Sequence, residues 1–174
     1  MGSLPPPFGS FNARTRPSVG RVAAPEVEQS APVGRGKARG RSFGALFAAA
    51  LAKQRAGQPS EAAALYAQAL RADPRSAQAH NNLGCALLAL GRLEDAARAL
   101  AEAVALRPDY ADALDTLGVV TAELGRHRDA AGYFERALAA DPAAAGAAFH
   151  LGNALLALER FSAAQVAFER ALEI

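Results

Sequence analysis

The chain has 174 residues, rich in alanine, leucine and arginine, with no tryptophan and few β-branched residues, a mixture that favours helix and offers little for strands. Its single cysteine, Cys85, excludes an intramolecular disulfide and suits a reducing compartment, and its three separated histidines offer no zinc-type cluster. The net charge of +2 divides unevenly: residues 1–41 hold seven basic side chains against Glu26 and Glu28, giving +5, while the remainder holds twelve basic and fifteen acidic, giving −3.

Residues 1–41 come first and read as a disordered, basic, Pro/Gly-rich arm. Six of the ten prolines and six of the fifteen glycines lie there. No helical or alternating period survives, and large apolar side chains are too few to repay the entropy of ordering. The run Arg35-Gly36-Lys37-Ala38-Arg39-Gly40-Arg41 is a patch suited to nucleic acid, a membrane surface or an acidic partner. The plainer alternative is a solubilising leader. Met1-Gly2 fits the start of a myristoylation signal, but Pro6 stands where Ser or Thr is required. No stretch approaches the ~18 apolar residues of a membrane span. The most apolar run, Ala45 to Ala52, lacks signal-peptide flanks and fits a repeat helix. A cytoplasmic location is the default expectation.

From Ser42 onward the chain repeats every 34 residues. Pro74, Pro108 and Pro142 keep that step, as do the pairs Leu83-Gly84, Leu117-Gly118 and Leu151-Gly152, and the glycines Gly57, Gly91 and Gly125. Two alanine series follow it as well: Ala62, Ala96, Ala130, Ala164 and Ala69, Ala103, Ala137, Ala171. Such a period marks a stacked-repeat architecture. The units are placed at 43–76, 77–110, 111–144 and 145–174.

Each unit reads as two helices. In the third, Leu114, Leu117, Thr121 and Leu124 lay an apolar stripe along a first helix. Gly125 supplies the left-handed residue that ends it. Ala130, Phe134, Ala137 and Leu138 share one face of a second helix, which Asp141-Pro142 closes because proline disfavours helix in the residue before it. Small residues set the helix spacing. Gly118 and Ala130 let the helices of one hairpin approach closely, and Ala137 does the same for the next hairpin. Bulk at Gly118 or Ala130 is therefore expected to be damaging. Asn82→Ala or Asp115→Ala, taken as partly exposed positions, is expected to cost little.

The Leu-Gly pair, the Ala-x-x-x-aromatic step (Ala62-Tyr66, Ala130-Phe134, Ala164-Phe168) and the closing proline resemble the tetratricopeptide repeat. The resemblance implies an all-α, α-solenoid fold of about four helix–turn–helix repeats, a right-handed superhelix with a concave groove, in residues 42–174. The departures are mild. Leu46, His80, Leu114 and Ala148 replace the early tryptophan, and Lys53, Leu87, Thr121 and Leu155 replace a tyrosine. Ala50 replaces the unit-one glycine, and Glu159 stands where a turn glycine is expected, so the fourth turn is the weakest match. Ala163, Val166, Ala167 and Phe168 are expected to leave the last unit apolar where a solenoid normally carries a polar cap. Either more chain follows or that end pairs with another subunit, and the first is preferred.

The resemblance also implies where binding happens. First helices line the groove, so unit one would present Phe47 and Leu51, unit two Gln78, Asn81, Asn82 and Cys85, unit three Asp112, Asp115, Thr116 and Val119, and unit four Phe149, His150 and Asn153. A well-known subfamily grips a C-terminal carboxylate with groove Lys, Arg and Asn. The first helices of units two to four hold no Lys or Arg here, which argues against that use. Asn82 matches a position where some members run an asparagine ladder, but Thr116 and His150 follow it, so the ladder is partial. Asn suits the work because it donates and accepts at once. Asp112 and Asp115, three residues apart on one helical face, favour a basic or neutral segment; the plainer alternative is a solvated face.

The remaining reactive types read as structural. Cys85 is a small helical filler. His80 is a partly buried, hydrogen-bonded histidine and His127 a surface residue. His150 has the best functional claim, with Asn153 at helical spacing, yet no charged partner nearby in sequence. No phosphate-binding glycine loop and no nucleophile–His–carboxylate set is apparent, and no cofactor or metal is implied. The expected function is a protein-interaction scaffold holding an extended, neutral-to-basic polypeptide segment, not an enzyme. The alternative is the N-terminal recognition module of a larger glycosyltransferase, sulfotransferase or methyltransferase. A third, less favoured reading is nucleic-acid or acidic-partner binding through the arm, whose signature would be a steep salt dependence.

Overall fold

A computed structural model describes residues 42–174; the expected disorder of the basic arm at 1–41 lies outside the described residues. Eight helices follow in order: α1 (Phe43–Arg55), α2 (Pro59–Ala72), α3 (Ala77–Ala89), α4 (Leu93–Leu106), α5 (Ala111–Glu123), α6 (His127–Ala140), α7 (Ala145–Ala157) and α8 (Phe161–Glu173). No strand occurs among the described residues. None of these helices is long and apolar enough to cross a membrane.

Local chemistry sets the helix ends. Ser42 and Ser76 cap α1 and α3, their hydroxyls accepting from the amides of Ala45 (3.4 Å) and Ala79 (3.2 Å), which satisfies a donor that a helix start otherwise leaves unpaired. Gly57, Gly91 and Gly125 all sit at positive φ, between 69° and 77°. In each hairpin turn the amide after the left-handed residue returns to a carbonyl five residues back, as Arg126 does to Thr121 (3.0 Å). The fourth turn keeps this geometry without glycine. Glu159 adopts φ 58°, and Arg160 donates to Leu155 at 2.9 Å. The turn expected to be weakest therefore forms, because its two backbone bonds and the packing of α7 on α8 outweigh the roughly 1–2 kcal/mol that a left-handed conformation costs an L-residue.

Helices pack consecutively, α1 on α2, α2 on α3 and so on to α8. Within hairpins the small residues act as expected. A Cβ on Gly118 would lie 2.4 Å from Phe134 Cε1, one on Gly152 2.4 Å from Phe168 Cε1, and one on Gly84 2.5 Å from Leu100 Cγ. Unit one, with Ala50 in that place, packs a buried Tyr66 instead, its ring edge-on to Phe47 and its hydroxyl donating to Gln54 at 2.6 Å. Ala62, Ala96, Ala130 and Ala164 are fully buried. Between hairpins, arginines bridge to the preceding turn: Arg136 donates to the Pro108 carbonyl (3.4 Å) and Arg170 to that of Pro142 (3.1 Å).

The first helices also touch across units, α3 with α5 and α5 with α7, whereas no comparable contact joins α4 with α6 or α6 with α8 among the described residues. A stack whose first helices crowd while its second helices splay is curved, with the first helices on the inner face. At the last unit the expectation of an apolar end holds with one correction. Val166 is 65% exposed and Phe168 half-buried, but Ala167 is buried against α7 with Leu155 and Ala164. Leu172, 88% exposed, and Ile174 contribute more to that apolar surface.

Candidate binding groove

The inner face is built from α1, α3, α5 and α7, and it is less uniform than the sequence suggests. Phe47 and Leu51 are buried, and so are Asn81, Asn82, Cys85 and Thr116. Asp112, Asp115, Val119 and His150 are half-buried. Phe149 and Asn153 are exposed. Of the eight residues favoured from sequence, Asn81, Asn82 and Thr116 thus have almost no surface to offer. Asp112, Asp115, Phe149, His150 and Asn153 retain some.

The buried members have structural partners, although Asn81 Oδ1 and Asn82 Nδ2 are buried without a hydrogen-bond partner among the described residues. Asn81 Nδ2 donates to Asn82 Oδ1 at 3.4 Å, and Asn82 stands beside the Tyr66 hydroxyl. Burial pushes the Tyr66 hydroxyl to a higher pKa, a shift that Asn82 partly offsets. Thr116 donates back to the Asp112 carbonyl at 2.9 Å, as Thr121 does to Leu117, the usual way a helical hydroxyl is satisfied. Cys85, buried beside Thr116, has its thiol pushed up to about 11, chiefly by desolvation. A thiol held protonated in this way is a packing residue. The small cost expected for Asn82→Ala is corrected accordingly. At 1% exposure, deleting its amide opens a cavity and strips Asn81 Nδ2 of its acceptor, losses of about 1–3 kcal/mol.

Three of the accessible members, Asp115, His150 and Phe149, meet where units three and four join. His150 Nδ1 lies 2.9 Å from Asp115 Oδ1. The partner that sequence did not offer His150 is 35 residues upstream, one unit away, where only the stacking of α7 on α5 brings it near. The imidazole sits 5.5 Å from the Phe134 ring and 6.1 Å from that of Phe149, which in turn leans on Phe168 at 5.6 Å. A carboxylate thus borders an aromatic floor. His80, by contrast, is half-buried with Nε2 3.0 Å from the Pro74 carbonyl, a structural role, and His127 is half-buried at the start of α6.

Sequence reasoning missed one feature on the opposite side. An open groove of about 710 Å³ separates α2 from α4, lined by Ala63, Leu83, Leu87 and Ala99 together with Arg92, Asp95, Arg98 and Glu102. It arises where second helices splay apart, and the only sequence sign is the density of alanines on α2 and α4. Asp95 lies between Arg92 and Arg98, and its carboxyl is held low chiefly by the hydrogen bond from Arg92. Among the described residues no group of three or more His, Cys, Asp or Glu is disposed to hold a metal.

Comparison with known proteins fits this geometry. The family model described as tetratricopeptide repeat matches residues 47–114 and 116–174. A search of curated protein sequences gave no match. Among solved structures, the chain is similar to MamA ("Crystal structure of MamA"), with 28% identity and a TM-score of 0.73 over 75% of this chain and 77% of that one. It is similar to PilF of Pseudomonas aeruginosa, with 27% identity and a TM-score of 0.70 over 76% of this chain and 60% of that one. It shares its fold with the first tetratricopeptide domain of Spaghetti (RPAP3), solved with the HSP90 peptide SRMEEVD, with 24% identity and a TM-score of 0.67 over 68% of this chain and 94% of that one.

Proposed function

The chain belongs to the tetratricopeptide repeat family, and from that premise we propose that it is a protein–protein interaction scaffold holding an extended, neutral-to-basic polypeptide segment along its inner face. The observation that carries this reading is the charge of that face beyond α1, whose two cations, Lys53 and Arg55, lie in its last turn. Helices α3, α5 and α7 contribute Asp112, Asp115 and Glu123 and contain no Lys or Arg. A ligand carboxylate desolvated against them would go unpaired at a cost of several kcal/mol, whereas a cation or amide meets acceptors. Exposed Asn153 adds a side chain able to donate to and accept from a peptide backbone. The RPAP3 domain holds an acidic peptide, so support from that likeness extends to the fold's capacity for a peptide, and the charge of this groove argues for the opposite kind. The reading includes no chemical step, and it places the protein in the cytoplasm, where Cys85 stays reduced.

A peptide-array screen tests it, using the chain with Arg35, Lys37, Arg39 and Arg41 changed to Gln so that the basic run contributes nothing. Hits are expected to lose affinity on acidic substitution and when Asp115→Asn or Asn153→Ala is introduced. Best binders ending in a free Asp or Glu, or indifference to both substitutions, would overturn the groove assignment.

A further inference from the structure

The inner face is most open at α7. Its inward row, Phe149, Asn153 and Leu156, follows i, i+4, i+7 spacing, and all three are exposed, Phe149 by 52% and Leu156 by 43%. The same row in α3 is Asn81, Cys85 and Leu88, the first two buried; in α5 it is Asp115, Val119 and Ala122, all half-buried. Among the described residues, the exposed large apolar side chains of this row are those of unit four. Phe149 leans on Phe168 and faces His150, so its ring is propped in place and an incoming side chain need not order it. Beside this floor, Asp115 uses Oδ1 toward His150, and its second oxygen has no partner among the described residues. The acceptor and the floor are fixed to each other through His150.

Building on the groove reading above, we infer that this junction recognises a two-part segment: an Arg or Lys that reaches Asp115, and a large apolar residue, Phe, Leu or Met, that packs on Phe149 and Leu156. His150 spans the two subsites, its Nδ1 2.9 Å from Asp115 Oδ1 and its ring 6.1 Å from that of Phe149, so they lie no more than about 10 Å apart, near the spacing of packed helices. A segment in the polyproline II conformation advances about 3.1 Å per residue and returns to the same face every third residue. Its i and i+3 side chains are then about 9 Å apart on one side, matching the step from α5 to α7. A β-strand ligand brings i+2 or i+4 to one face instead, at about 7 or 14 Å, a poorer match. The imidazole bridge gives the pair its specificity. It holds one oxygen of the carboxylate and leaves the other for the ligand. An acidic residue in the first position faces Asp115 and is rejected by like charge.

The probes are N-acetylated, C-amidated ten-residue Ser/Ala peptides carrying one Arg and one Phe at separations from one to six, with fluorescence anisotropy on the full chain as the readout. Affinity is expected to peak at a separation of three, at least tenfold above peptides with Arg alone, Phe alone, or Glu in place of Arg. Asp115→Asn should bring the two-part peptide down to the Phe-only level, and Phe149→Ser down to the Arg-only level. Phe149 is exposed and Asp115→Asn preserves the side chain's shape, so both variants should leave the helical signal intact. A flat profile across separations, or Glu binding as well as Arg, overturns the two-part inference. If that flat binding is still abolished by Asn153→Ala, the groove reading survives alone; if it persists through all three substitutions, the groove reading fails too. Absence of binding by every probe overturns the inference, and the array experiment above then judges the groove separately.

Discussion

Units three and four are built on one template yet differ in what surrounds them. Both bring an aromatic ring against a glycine, Phe134 on Gly118 and Phe168 on Gly152, and both bury the alanine that starts the second helix's inner face, Ala130 and Ala164. Beyond the hairpin they part. Phe134 is 1% exposed and Leu138 5%, whereas Phe168 is half-buried and Leu172, which occupies the place of Leu138, is 88% exposed. Unit three has a glycine at its turn and a second helix that starts with the Arg126–Asp129 pair (2.7 Å); unit four has Glu159 at positive φ and Ala163 where the aspartate would be. The lesson is that packing inside a hairpin belongs to each unit by itself, while the burial of its outer faces belongs to the neighbour, as expected of a quasi-one-dimensional stack.

The largest test of that contrast is a pair of truncations. Leu138→Ala should cost about 2–5 kcal/mol in chemical denaturation, and Leu172→Ala about 0.5 kcal/mol or less, because the same residue type at the same template position is covered in one case and solvated in the other. Equal costs would mean that α8's outer face is covered in solution. Next come the glycines. Gly118→Leu forces bulk into the Phe134 ring and should cost about 1–3 kcal/mol or more. Gly152→Leu should cost less, since Phe168 has an open side toward which to shift; a melting-temperature comparison decides.

The covered interior also carries a pH signature. Cys85 is held protonated to about pH 11 while an unfolded thiol ionises near 8.5–9. The folded state therefore keeps its proton where the unfolded state has released it, so this contribution is complete below about pH 8.5 and is lost as pH rises toward 11. Cys85→Ala should flatten that part of the alkaline limb, leaving the decline at still higher pH to Tyr66 and Tyr110, both raised by burial. An unchanged limb would show the thiol to be solvated.

Two smaller changes would make unit four more like unit three. Glu159→Gly relieves the left-handed strain and should stabilise by about 1 kcal/mol, whereas Gly125→Ala should lose a similar amount. Ala163→Asp restores a carboxylate to the first turn of α8 opposite Arg160, which should add about 0.3–1 kcal/mol from the helix dipole and ion pair together, an increment that 1 M salt should largely remove.

The sequence alone determined the 34-residue period, the turn glycines and the closing prolines. The period shows in residues 34 positions apart, such as Pro74 and Pro108, and each turn in a single residue whose backbone preference acts directly. It also indicated that His80 would be partly buried and hydrogen-bonded, and that the first helices of units two to four lack cations. Only the tertiary structure decided which inward residues keep a surface. Asn81 occupies the repeat position of Asp115 and Phe149, and Asn82 and Thr116 that of His150, yet Asn81, Asn82 and Thr116 are buried while their counterparts keep a surface. Their exposure depends on how closely the helices around them crowd, as α3 and α5 do, a property of curvature that no local pattern encodes. The Asp115–His150 contact was hidden for the same reason. It spans 35 residues, one repeat plus one, so the stacking of one unit on the next had to be in place before either residue had a partner.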